Sequence, residues 1–227
     1  MKILISSLVL ALIHVSNAQG FSIFLNGRGL LNSSFILNNS VTTNENQSHA
    51  FALSGLGGVG ATILYENKVG LSLEFLVGNH QAKYTGKDIV GPVESSYSSK
   101  VNLSKLQIPV LFRLDNEEGY LEIGPQLNII NSANYSSNFA GFANDQVIDS
   151  YKRASISGVF GLGNYFPLGK RKSLITLSFG FRIHYGLTDV EGVTPTGSWV
   201  INLPQQEKSI LFAAGLNMSL IYQLKNN

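Results

Sequence analysis

The feature that most constrains this chain is a period of two in its apolar residues. Over 175–187 the odd positions are Ile175, Leu177, Phe179, Phe181, Ile183, Tyr185 and Leu187. The even positions are Thr176, Ser178, Gly180, Arg182, His184 and Gly186. Over 106–114, Leu106, Ile108, Val110, Phe112 and Leu114 alternate with Gln107, Pro109, Leu111 and Arg113. Near the C-terminus Leu216, Met218, Leu220 and Tyr222 alternate with Gly215, Asn217, Ser219 and Ile221. Side chains alternate faces along a strand, whereas a helix repeats every ~3.6 residues, so these stretches read as two-faced strands.

Five further segments follow the pattern less strictly, near 20–28, 51–65, 69–84, 120–130 and 153–167. Eight strands result, as an up-and-down barrel requires. The connections sort by length along the chain. Short turns fall at 66–68, 115–119 and 169–172. Long segments rich in Ser, Asn, Thr and Gly fall near 33–49, 85–99, 131–150 and 188–207. A transmembrane barrel gathers its short turns at the periplasmic end and its long loops outside.

Composition decides which face meets solvent. Only 13% of the 227 residues are charged, against about 25% in a typical soluble domain. A lipocalin-like barrel, the soluble rival, would carry its charge on the outer face. Here the polar parity is mostly Gly, Ser, Thr, Asn and Gln, which suits a narrow lumen, and the apolar parity suits hydrocarbon. Lipid cannot satisfy an open strand edge, so the sheet must close. Aromatics cluster at both strand ends, with Tyr65, Phe112, Tyr120, Phe166 and Tyr222 beside the short turns. Phe51, Tyr84, Tyr151, Tyr185 and Trp199 lie toward the long loops. They read as interfacial girdles, with ordinary strand-end packing as the alternative.

The N-terminus carries an address. Met1-Lys2 precedes an apolar run over 3–15 and the small residues Ser16-Asn17-Ala18. This is the layout of a cleaved secretory signal over 1–18, leaving 19–227 as the barrel domain. The run is shorter than the ~20 residues of a spanning helix. Cys is absent, which excludes disulfides, thiolate metal sites and a lipid-modified N-terminal Cys. Lys and Arg number 16 against 14 Asp and Glu, so no strong field points to nucleic acid.

Several strands resemble the PorT-like outer-membrane β-barrel family. Leu103-Ser104-Lys105-Leu106-Gln107-Ile108-Pro109-Val110-Leu111-Phe112 resembles its "YLEIPLLLKY" strand, and Tyr120-Leu121-Glu122-Ile123-Gly124-Pro125 its "aGP" strand. Gly158-Val159-Phe160-Gly161-Leu162-Gly163 is similar to its "GlvlGaG" strand. Arg182-Ile183-His184-Tyr185-Gly186-Leu187-Thr188-Asp189 is similar to its "RYxxGLTdv" ending. The chain departs from the pattern at Ser155, where an acid is common, and in a last strand running past Tyr222 to Asn227. The resemblance implies an outer-membrane barrel and no single activity.

Glu74, Lys105, Arg113, Glu122, Arg182 and His184 share the inward parity. Charges at barrel depth must pair or stay hydrated. Arg113 and Glu122 flank one turn on adjacent strands and are expected cross-strand partners. They could form a selectivity filter or proton path. The blander expectation is a plug of salt bridges with no open pore, because eight strands enclose barely enough room for their own side chains.

No metal or cofactor site is expected. His49, His80 and His184 form neither HxH nor HExxH, and no GxSxG is present. The glycines of Gly55-Leu56-Gly57-Gly58-Val59-Gly60 precede another strand, so they read as bends or close wall contacts and not as a nucleotide loop. The sequons at Asn32, Asn38, Asn46 and Asn134 read as chance matches in Asn/Ser-rich loops. The 131–150 loop, with Tyr135, Phe139 and Phe142, could bind a partner or fold back as a cap. The chain is therefore expected to be a non-enzymatic outer-membrane barrel, structural or binding through its loops. Its expected partners are membrane lipids and an unspecified extracellular or periplasmic protein. A narrow solute channel and a lipid-modifying enzyme are the alternatives.

Overall fold

The computed structural model describes residues 20–42, 47–90, 93–138, 145–168, 174–192 and 208–224. The proposed signal segment 1–18 lies outside them, as do Phe139, Phe142, Trp199 and the 169–172 turn. Among the described residues, eight long antiparallel strands close into one ring. They are β1 (Phe21–Asn38), β3 (Leu53–Tyr65), β4 (Val69–Val90), β5 (Val93–Asp115), β6 (Gly119–Ser137), β8 (Ala154–Pro167), β9 (Ile175–Gly186) and β10 (Ser209–Gln223). Each pairs with its neighbours in chain order, and β1 closes the ring against β10 from Phe24↔Gln223 to Asn38↔Ser209. Two short strands are added at one end. β2 (Gln47–Ala50) pairs with β4, and β7 (Asp145–Gln146) with β6.

Local chemistry shapes the short turns. Glu66 and Asn67 adopt left-handed φ values of 49° and 56°, as the central residues of a primed hairpin turn do. Between β5 and β6, Asn116 Oδ1 accepts the N–H groups of Glu118 and Gly119 at 2.9 and 2.6 Å.

The apolar parity faces outward along the middle of the ring. Leu216 is 65% exposed and Val59 63%, whereas Glu74, Glu122 and Arg182 are fully buried. A ring this apolar outside and this polar inside is suited to hydrocarbon and not to water.

Above the apolar belt the sense of the wall inverts. Beyond Val77 the outward positions of β4 are Asn79, Gln81, Lys83 and Thr85, while Ala82 and Tyr84 turn inward. On β5, Val101 and Leu103 point in and Lys100 points out. These inward groups join Ile36, Ile130, Tyr135, Val147, Tyr151, Val190 and Leu211 in one apolar cluster. The chain thus obeys two solvents: greasy side outward in lipid, inward in water.

This inversion corrects three of the loop boundaries. The segments near 33–38, 85–90, 93–99 and 131–137 are strand, and the β4–β5 ladder runs to Val90↔Val93. Their Ser, Asn and Lys content marks wetted strand faces and not coil. In β6 a bulge opposite Ser104/Lys105 adds one residue. Inward parity is even at Gln126, Asn128 and Ile130, then odd at Ala133 and Tyr135. A bulge breaks a two-residue period in this way, so the alternation read from the sequence stops at 130 although the strand continues to Ser137. The girdle also needs correction. Tyr65, Phe112, Phe166, Tyr185, Tyr222 and Phe51 are exposed, but Tyr84, Tyr120 and Tyr151 are buried inside the ring.

Candidate functional site in the barrel lumen

Five strands deliver an interlocked ionic cluster to the middle of the lumen. Arg28 comes from β1, Glu74 from β4, Arg113 from β5, Glu122 from β6 and Arg182 from β9. Arg182 donates from its NH1 and NH2 groups to the two Glu74 oxygens at 2.9 and 3.2 Å. Its Nε donates to Glu122 Oε1 at 2.9 Å, and its NH2 contacts the same oxygen. Arg28 donates to Glu122 Oε1 at 2.9 Å and approaches Glu74 at 3.2 Å.

Arg113 extends the cluster toward the short turns. It lies opposite Glu122 in register, with NH1 at 3.6 Å from Oε2. Its closer acid is Asp115, at 2.8 Å from Nε, and it also donates to the Tyr165 hydroxyl. The guanidinium stacks 4.0 Å above the Tyr120 ring. Three guanidiniums therefore meet three carboxylates, and the cluster is neutral as a whole. Charge-assisted, partly bidentate bonds of this kind hold long side chains in one geometry.

Glycine makes the room. Arg28 faces Gly58 across strands, Glu74 faces Gly60, and Arg113 faces Gly70. Glu122 faces Gly161, and Arg182 sits between Gly161 and Gly215. A Cβ on Gly161 would stand 2.7 Å from Glu122 Oε1, and one on Gly60 would stand 2.8 Å from Glu74 Cγ. The inward glycines of the 55–60 run are close wall contacts, while Gly55 faces open space outside.

A second polar layer lies above. Lys105 Nζ donates to His80 Nδ1 at 3.2 Å, and His80 Nε2 donates to the Phe35 carbonyl at 2.9 Å. Only a neutral imidazole carrying its proton on Nε2 satisfies both bonds. His184 Nδ1 meets Gln126 Oε1 at 3.1 Å, and Gln126 in turn donates to Asn128 at 2.6 Å. Above this layer comes the apolar cluster. Below the ionic cluster, a cavity of about 270 Å³ opens at the short-turn end beside Arg113, Asp115 and Tyr165.

All six residues singled out from the sequence thus lie inside the ring. Glu74, Arg113, Glu122 and Arg182 meet in one cluster, whereas Lys105 and His184 belong to the layer above. Arg28, Asp115 and Tyr165 were missed. Arg28 was readable in principle, because Asn26, Arg28, Leu30 and Asn32 share the inward parity of a longer first strand. His49 lies against the Phe35 and Tyr84 rings near the long-loop end. Among the described residues, no group of three or more His, Cys, Asp or Glu is placed to hold a metal ion.

A closed antiparallel ring with a lipid-suited outer belt and a charged, filled interior defines a membrane-spanning β-barrel. The chain belongs to the outer membrane protein beta-barrel domain family, whose model matches residues 16–192. Among solved structures it is similar to Neisserial surface protein A, at 10% identity and TM-score 0.44, covering 91% of this chain and 100% of that one. It is similar to OprG from Pseudomonas aeruginosa, at 12% identity and TM-score 0.41, covering 90% and 96%. It is also similar to Ail, the attachment invasion locus protein of Yersinia pestis, at 11% identity and TM-score 0.37, covering 90% and 100%. A comparison with curated proteins gave no significant match.

Proposed function

We propose that the chain is a non-enzymatic, non-conducting outer-membrane barrel that acts through its extramembrane end. The observation that carries this reading is the filling of the lumen. A neutral Arg–Glu cluster occupies the middle, and an apolar core occupies the end bearing the long connections. Moving an ion through would require both to open. The cluster stiffens the ring, and the apolar core turns the extramembrane strands into a rigid platform for recognition. The filled lumen also disfavours the acyltransfer or hydrolysis alternative. His80 is committed to Lys105 and the Phe35 carbonyl, and both His80 and His184 face away from lipid. The four strand motifs support a PorT-like subgroup, and the 1–18 layout supports cleavage on export.

Planar-bilayer recording of the purified, refolded chain tests the reading. No stable conductance is expected. Steady single-channel steps would replace it with the channel alternative, and a changed lipid A mass on expression would replace it with the enzyme.

A further inference from the structure

The wall formed by β4, β5 and β6 rises above the apolar belt as a wetted sheet. At its centre two lysines face each other directly, in the register Lys83↔Lys100. Both are exposed, and neither has an acidic partner among the described residues. Like charges directly opposite on neighbouring strands repel. Their outward neighbours are Gln81, Thr85, Ser98, Asn102, Asn134 and Ser136. Each of these six is a hydrogen-bonding group and none is acidic, while on the other side of Lys83 its partner in register is Ala50 of β2.

The same strand faces continue downward into the lipid belt. Phe75 and Val77 on β4 and Val110 on β5 are outward and 45–60% exposed. Lys83 lies six positions beyond Val77. At ~3.3 Å per residue and a tilt near 40°, its Cα stands about 15 Å above Val77. Lysine stems are long enough to reach back toward the boundary. A lipid whose chains lie along Phe75 and Val77 would therefore carry its headgroup up against the lysine pair.

We propose that Lys83 and Lys100 form a binding site for the phosphate-bearing saccharide headgroup of an outer-leaflet glycolipid. The amides and hydroxyls around them take the sugar. The two ammonium groups share the phosphate, which relieves their mutual repulsion. Continuity with the lipid-facing wall selects a membrane glycolipid over a soluble anion. The inference rests on the outer-membrane reading and goes beyond the sealed lumen, so conductance data leave it untouched.

The test uses the full folded chain in detergent and a short-core, bisphosphorylated lipopolysaccharide as probe, with affinity read by native mass spectrometry. Retained heat-modifiable gel mobility checks that each variant is folded. The double substitution Lys83→Gln/Lys100→Gln is expected to weaken binding about tenfold or more, and Lys83→Arg/Lys100→Arg to keep it. Enzymatically dephosphorylated probe should bind the unsubstituted chain at least about tenfold more weakly than intact probe does. This arm needs no variant to fold. The acyl-free core oligosaccharide phosphate should also bind at least tenfold more weakly than the intact probe. Equal binding of the glutamine variant, of the dephosphorylated probe or of the acyl-free fragment would overturn the proposal.

Discussion

Replacing Glu122 by Gln removes one of three buried carboxylates and leaves three guanidiniums facing two. Glu122 Oε1 accepts bonds from both Arg28 and Arg182 at 2.9 Å, and Oε2 lies 3.6 Å from Arg113. A pair at ~4 Å with an effective dielectric constant near 20 attracts by about 4 kcal/mol. Glutamine keeps an acceptor oxygen but not the charge. Breaking a buried pair on one side costs about 3–5 kcal/mol, because the partner charge is left uncompensated. Glu122→Gln should therefore destabilise the barrel by about 3 kcal/mol, roughly a hundredfold in the folding equilibrium. Urea titration in lipid vesicles, with folded fraction read from heat-modifiable gel mobility, measures this. Adding Arg28→Gln restores neutrality and should recover part of the loss, with a coupling of about 1–3 kcal/mol. A cost below ~1 kcal/mol for Glu122→Gln, typical of a hydrated surface pair, would refute the reasoning and mean that water fills the lumen.

Three more outcomes follow from the same structure. Gly161→Val would place a Cβ 2.7 Å from a pinned Glu122 oxygen and should cost about 1–3 kcal/mol by overpacking. Gly57→Ala faces outward, with only the Arg28 carbonyl nearby at 3.8 Å, and should stay within ~0.5 kcal/mol in the same titration. At the extramembrane end, partial burial works against ionising Asp189. The N–H groups of Ser209 and Glu191, each 2.9 Å from Oδ1, together with the Lys152 charge, nevertheless hold its carboxyl below the usual value. A depressed carboxyl stabilises fully above the unfolded pKa of about 4 and loses its contribution as pH falls through the lower folded value. Hydrogen exchange at the Ser209 and Glu191 amides, corrected for intrinsic rate, should be slow at pH 6 and speed up selectively below pH 4. Asp189→Ala should speed it at pH 6.

The middle of the barrel was readable because lipid imposes one rule over its whole height. Leu177, Phe179 and Phe181 alternate with Ser178, Gly180 and Arg182 without exception, and the strict period carries the face assignment. The rest was hidden by two physical effects. Above Val77 the outer wall meets water, so the alternation continues with its sense inverted, and a search for a greasy outer face stops there. At Asn131 the bulge shifts the period by one, which disguised Tyr135 as a loop aromatic although it is fully buried. Arg28 escaped because glycines on either side weaken the contrast between faces, and because the first strand was ended ten residues short of Asn38. Pairwise partners such as Arg182 with Glu74 and Glu122 depend on the closed ring, which sets strands far apart in sequence around one narrow lumen.

The central claim is that Phe179 and Leu216 meet hydrocarbon while Arg182 and Asn217 fill the interior. The chain has no cysteine, so single spin labels can be placed cleanly at Phe179→Cys, Leu216→Cys and Asn217→Cys in lipid vesicles. Collision with oxygen against a water-soluble nickel chelate reports the surroundings of each label. The account predicts high oxygen and low nickel accessibility at 179 and 216, and an immobilised label shielded from both at 217. Nickel access at 179 and 216, with lipid-like oxygen access at 217, would contradict it.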